Sequence, residues 1–221
     1  MPLSPKSPGR AARRQSVGDH KRELILGAAR RVFESEGLDG ASLRAIAAEA
    51  GYTPAALYFH FDSKEAIYAE MLDISLGRLA DAVLAAADAE AEPAGRLRAA
   101  ALAFFAFYAE NPRDLDLGFY LLRGGLKPKG LGRARDERLN AALAVALAPI
   151  GAGAEALGAT PEAARLLVVD VFAHAVGLLL LTHTGRIRMF EASAPDLMRR
   201  YLDERVRGLL AGGAGLPDGR G

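Results

Sequence analysis

The stretch 42–64, SLRAIAAEAGYTPAALYFHFDSK, decides the fold. Ser42 is a good N-cap, because its hydroxyl accepts an amide proton that the first helical turn leaves free. Leu43, Ile46, Ala47 and Ala50 then recur at helical spacing and form one apolar stripe. Gly51 ends that helix, where a left-handed backbone would strain any other residue. Thr53 reads as the next N-cap. Pro54 follows as the first helical residue, where its missing N–H costs nothing. Leu57 and Phe61 turn inward on the second helix, while Thr53, Ala55, Tyr58 and His60 reach outward. A third helix starts at Asp62 or Ser63, with Asp62 and Glu65 spaced as an acidic capping box. Two short helices about a glycine turn have the layout of a helix-turn-helix.

The preceding segment fits this arrangement. Residues 20–37 carry Leu24, Ile25, Ala28, Ala29, Val32 and Phe33 at periodic positions, and Gly37 stops the helix. Three such helices can close a small core. Spacing alone allows a plain three-helix bundle as readily as a DNA-reading head.

A longer pattern separates the two. Ala50-Gly51 is followed by Thr53, then Leu57-Tyr58-x-His60-Phe61, then Lys64 and Glu65. With Ser42, Leu43, Ile46, Ala47, Phe33 and Gly37, this resembles the N-terminal domain of the tetracycline-repressor (TetR) family of bacterial transcription regulators. The resemblance covers residues 20–68. Tyr52 stands where the family usually has Val, and Pro54-Ala55 departs from its usual residues at the start of the recognition helix.

The resemblance implies roles. Ser42, Thr53, Tyr58, His60 and Lys64 match positions that contact phosphates, and each side chain can hydrogen-bond a phosphate oxygen. Arg44 matches a position that often reaches a base edge, where its fork can grip guanine O6 and N7. Thr53, Pro54, Ala55 and Ala56 are small and mostly apolar, suited to pressing on thymine methyls. Sequence preference is therefore expected to rest on Arg44, methyl contacts and DNA shape. Phe59 is expected to pack partly against the core.

Charge follows the same division. Residues 1–22 hold Lys6, Arg10, Arg13, Arg14, Lys21 and Arg22 against Asp19, a net of +5. Pro, Ser and Gly are frequent there, so 1–19 reads as a disordered basic tail, either along DNA phosphates or simply solvated. Residues 1–64 carry ten basic and seven acidic side chains; residues 65–221 carry eighteen and twenty. No apolar run follows the first charges, so the tail is not a signal peptide.

The remainder reads as all-α. Helices are expected near 63–89, 94–110, 112–123, 132–148, 161–184 and 194–211, with Pro93, Pro112, Pro161 and Pro195 at or beside their starts. Residues 124–130 mark a loop and 150–159 a second, looser connector. No segment alternates as strands do. The implied domains are 20–68 for DNA binding and 69–211 for regulation and dimerisation, with 212–221 a disordered tail. The longest apolar run, 166–181, is sixteen residues with Asp170 and His174 inside, short of the ~20 of a membrane span. There is no Cys, which excludes disulfides and thiol catalysis. No cofactor or metal is expected.

Helix 161–184 is apolar nearly all round and should be buried on every side. One side would face its own domain and the other a partner chain, with helix 194–211 beside it. TetR-like proteins pair through such helices, and a homodimer would present two recognition helices about 34–36 Å apart, or a multiple of that spacing. Phe104, Phe107, Tyr108, Phe119, Tyr120, Phe172 and His174 form the candidate pocket for a small-molecule effector, set against an ordinary aromatic core. Asp170 and His174, one turn apart, read as a buried structural pair. The function expected is a cytoplasmic, homodimeric repressor released from a palindromic DNA operator by its effector, with no membrane partner. The rivals are a helical protein–protein interaction module and an enzyme; no Ser-His-Asp, HExxH or P-loop pattern supports the latter.

Overall fold

The computed structural model describes residues 10–119 and 130–213. Among the described residues all regular structure is helical. In order, these are α1 (Arg10–Gly40), α2 (Leu43–Glu49), α3 (Pro54–Tyr58), α4 (Lys64–Asp88), α5 (Pro93–Glu110), α6 (Pro112–Gly118), α7 (Arg133–Ala156), α8 (Pro161–His183) and α9 (Ala194–Gly213). A 3₁₀ turn, Arg186–Phe190, joins α8 to α9. Tyr120 and the expected loop 124–129 lie outside the described residues.

Two compact units divide the chain: 10–71 with 130–135, and 72–119 with 136–213. Helices α4 and α7 are each continuous across the division.

The first unit is built from α1, α2, α3 and the start of α4. Ile25, Ala28, Ala29, Val32 and Phe33 of α1 bury with Ile46, Ala47, Leu57, Phe61, Ile67 and Tyr68. Phe33 meets Tyr68 edge to face, with ring centroids 5.2 Å apart, a geometry that favours aromatic pairs by about 0.5–1.5 kcal/mol beyond burial. Leu24, expected on the inner stripe, is instead half exposed. Gly51 adopts φ +71°, the left-handed turn the helix-turn-helix requires. Helix α1 kinks at Gly37 and begins at Arg10, so residues 10–19 are helical where composition suggested disorder. The Pro, Ser and Gly that suggested a tail cluster in 2–9. From Arg10 the chain is rich in Ala and Arg, both strong helix formers.

In the second unit α5 packs on α8 and α9. Its Leu97, Ala100, Ala101, Phe104 and Phe105 are buried with Val171, Ala175 and Leu179 of α8 and with Met198, Leu202 and Val206 of α9. The connector expected at 150–159 is helical as far as Ala156, and Pro149 sits inside α7 without ending it. Close packing explains the excess of glycine there. A Cβ on Gly153 would come within 3.1 Å of Leu97 Cα and 3.2 Å of its nitrogen, so glycine lets α7 approach the α5 backbone. Ile150, one residue after the proline, is fully buried. Such burial offsets the hydrogen bond that proline removes.

The apolar length of α8 is matched by that of α7. The helix is 23 residues with mean hydropathy 2.0 in its most apolar window, and α7 is 24 residues with 1.4; both are long and apolar enough to cross a membrane by length and composition. Both also supply buried side chains to the core of this unit. Within one chain α8 leaves Leu166, Val169 and Leu180 each at least half exposed.

Candidate nucleic-acid interface

The caps form as their spacing implies. Ser42 Oγ accepts from the Ala45 amide at 3.1 Å and Thr53 Oγ1 from the Ala56 amide at 3.2 Å. Each hydroxyl keeps its own proton to donate, so capping leaves both able to hold a phosphate oxygen. Ser42, Arg44, Thr53, Pro54, Ala55 and Tyr58 are exposed. Arg44 has no ion-pair partner among the described residues. His60 is half-buried, with its backbone amide donating to Leu57 at 2.9 Å.

Phe59 overturns its expected packing, being 91 % exposed. Leu57 and Phe61 take the inward positions, and residue 59 lies about 200° round the helix axis from 57. The same periodicity that buried Leu57 should have turned Phe59 outward. It stands beside Tyr58, which is also exposed.

Two basic residues are engaged within the protein. The Lys64 ammonium donates to the Asp39 carbonyl at 3.0 Å and to the Ala41 carbonyl at 2.9 Å, leaving one of its three protons for a phosphate. Arg22, counted with the basic tail, forms a bidentate pair with Glu70 of α4 and lies 4.6 Å over the Phe61 ring. Between the alternative caps of α4, Ser63 fills the role, accepting from the Ala66 amide at 3.1 Å. Asp62 turns instead toward Arg135, 3.2 Å away.

The residues expected to form an effector pocket do not all come together. Phe104 meets Tyr108 at 5.3 Å and Phe172 at 5.7 Å, and Phe107 meets Tyr108 at 5.3 Å. Phe104, Phe107 and Tyr108 are buried, and Phe119 is half-buried. Burial, and after it the carboxylate of Asp114, pushes the Tyr108 phenol well above the usual tyrosine range. The buried Asp114 lies 3.7 Å from the Arg78 guanidinium, and Ser75 Oγ is buried without a hydrogen-bond partner among the described residues. Sequence reading found neither Ser75 nor Asp114, because nothing local marks a polar side chain as buried.

His174 turns to α9 rather than pairing with Asp170, which is exposed. Its ring stacks on Tyr201 with centroids 4.0 Å apart. Burial holds the imidazole below the usual histidine value, against a backbone hydrogen bond to Leu197 and with help from the charge of Arg205. The unfolded chain therefore takes up a proton near pH ~6.5 that the folded chain resists. Stability from neutral His174 is present above that pH and lost as pH falls toward the folded pKa. Thermal melts between pH 7.5 and 5.5 should show a falling Tm, with a shallower slope in His174→Asn. Equal slopes in the two proteins would reject this assignment.

Comparison with known proteins meets this geometry at the helix-turn-helix. Residues 25–71 match the family model described as bacterial regulatory proteins, tetR family. Over these residues the chain matches the DNA-binding domain of the TetR family of transcription regulators. It is 35 % identical over 101 residues to the HTH-type transcriptional activator FasR of Mycolicibacterium smegmatis, covering 46 % of each protein. The chain thus spans about half the length of that curated relative. A protein of unknown function from Rhodococcus sp. RHA1 is 25 % identical with a TM-score of 0.68, over 86 % of this chain and 95 % of the other. A tetR-family regulatory protein from Rhodococcus RHA1 shares the fold at 20 % identity and TM-score 0.64, over 85 % and 95 % of the two chains.

Proposed function

We propose that the protein binds duplex DNA as a homodimer and regulates transcription, and that a small-molecule effector weakens its hold on a palindromic operator. One observation carries the reading. Ser42, Arg44, Thr53, Tyr58 and Phe59 stand exposed on two adjoining helices, and neither core packing nor an ion pair accounts for that combination. Hydroxyls and a phenol position the helices on phosphates, Arg44 reads a base edge, and Pro54, Ala55 and Phe59 offer apolar contacts to thymine methyls. Acting on DNA, the chain would work in the cytoplasm.

Dimerisation is proposed through α8 and α9. Leu166, Val169, Ala173, Gly177 and Leu180 recur every three or four residues along α8, and all are exposed. A Cβ on Gly177 would meet open space, so a partner helix could come close there. For the effector we propose a largely apolar molecule received among Phe104, Phe107, Tyr108, Phe119, Tyr120, Phe172 and His174. In this state Phe104 is fully buried, so entry requires the rings to part. Helix α4 begins directly after the recognition segment and continues to Asp88. An effector preferring one tilt of α4 would shift the population toward it and change the separation of the two heads.

A salt titration tests the reading. Affinity for duplex is expected to fall roughly a hundredfold between about 50 and 200 mM salt if about four phosphates are neutralised. Duplex binding that is absent, or flat with salt, would favour a protein–protein interaction module.

A further inference from the structure

The turn between α3 and α4 is held from three directions. Arg22 lies over Phe61. Lys64 reaches back to the carbonyls of Asp39 and Ala41. Asp62 faces Arg135, whose Nη2 donates to its two carboxylate oxygens at 3.2 and 3.4 Å. The first two contacts come from α1 and the residues just after it. The third comes from 73 positions along the chain, in the first turn of α7.

Arg135 is prepared for this contact. Its other arm, Nη1, donates to the Leu131 carbonyl at 3.3 Å, which sets the direction of the guanidinium. Leu131 itself is only 3 % exposed, so an apolar anchor fixes the start of α7. Asp62 is free for the pairing because Ser63 caps α4, and Ser63 Oγ adds a 3.1 Å hydrogen bond to Asp62 Oδ1. Asp62 is one residue from Phe61, which buries directly after the recognition helix.

We infer that Arg135 is a positioning residue for DNA recognition, holding the turn behind the recognition helix through Asp62 and giving α7 a grip on the DNA-reading head separate from that of α4. The inference rests on the DNA-binding reading above. Arg135 stands in the first turn of α7, which continues to Ala156. Side-chain exposures of 34 % for Arg135 and 76 % for Asp62 make the pair weak and sensitive to salt. A weak pair adjusts the head without locking it.

A double-mutant cycle tests this on the full chain, with a duplex selected from a random-sequence pool by the wild-type protein. Arg135→Gln is expected to weaken binding roughly two- to fivefold at low salt, a loss that shrinks as salt screens the pair. In an Asp62→Asn background the same substitution should have no further effect. Without DNA, Arg135→Gln should also speed amide hydrogen exchange over residues 63–67. A salt slope reduced by about one in the Asp62→Asn background as well would make Arg135 a phosphate contact and overturn the inference. So would equal losses in both backgrounds, or wild-type affinity and exchange in Arg135→Gln. If the wild-type chain binds no duplex, the functional reading fails and the inference falls with it; if it binds and only the cycle fails, the inference alone is lost.

Discussion

Val169→Glu combined with Leu180→Glu is expected to leave a folded chain that no longer pairs and that binds an operator duplex at least roughly a hundredfold more weakly. The size comes from linkage. Two heads joined in one dimer engage a palindrome with an avidity about 10²–10⁴ above that of either head alone. Both side chains are about half exposed in the single chain, so the new carboxylates stay hydrated when the chain is alone. In a dimer they would be buried facing their symmetry copies, and like charges out of water cost several kcal/mol or about that order. Helix α8 is not strongly amphipathic: it carries exposed Leu166, Val169 and Leu180 opposite buried Leu167, Val171 and Leu178. An apolar stripe on both faces is hard to explain without a covering surface. Sedimentation and circular dichroism check the two halves of the result. A double variant that still sediments as a dimer would move the interface elsewhere. A well-folded monomer with undiminished affinity would remove the need for pairing.

The readable part of this chain is the part whose causes are local. Ser42 and Thr53 were recognisable as caps, Gly51 as the left-handed turn and Pro54 as a first helical residue, because each depends on neighbours within four positions. Phe59 follows the same rule, since its place two residues after the buried Leu57 turns it outward. The contacts that escaped are distant in sequence. Lys64 meets carbonyls 25 and 23 residues away, Arg22 meets Glu70 across 48, and Arg135 meets Asp62 across 73. No periodicity encodes such pairs, and a basic side chain looks the same in a sequence whether it awaits a phosphate or already holds a carboxylate. Gly153 shows the converse problem. Glycine signals a break by local rules, yet here it serves the close approach of α7 to Leu97, and only the neighbouring helix reveals that. The effector region is the least readable for a related reason. Buried aromatics on α5 and α8 look alike whether they fill a core or line a pocket.

Arg44→Ala is expected to flatten base preference at one position of each half-site while leaving most non-specific affinity in place. A bidentate arginine–guanine contact discriminates by about 1–3 kcal/mol, roughly five- to 150-fold in relative affinity. No other exposed side chain named on α2 or α3 offers two parallel donors: Thr53 has one hydroxyl, Tyr58 one phenol, and Pro54 and Ala55 have no donor. Losing Arg44 should therefore remove most of the hydrogen-bonded readout. Arg44→Lys separates the two things arginine supplies. It keeps the charge and loses the fork, so the salt dependence should match the wild type while base preference falls nearly as far as in Arg44→Ala. Site selection from a random duplex pool, run for all three proteins at fixed salt, reads both effects. Uniform weakening on every sequence, with a salt slope smaller by about one in Arg44→Ala and restored in Arg44→Lys, would make Arg44 a phosphate contact. Sequence preference would then have to come from methyl contacts at Pro54, Ala55 and Phe59 and from the deformability of the DNA itself.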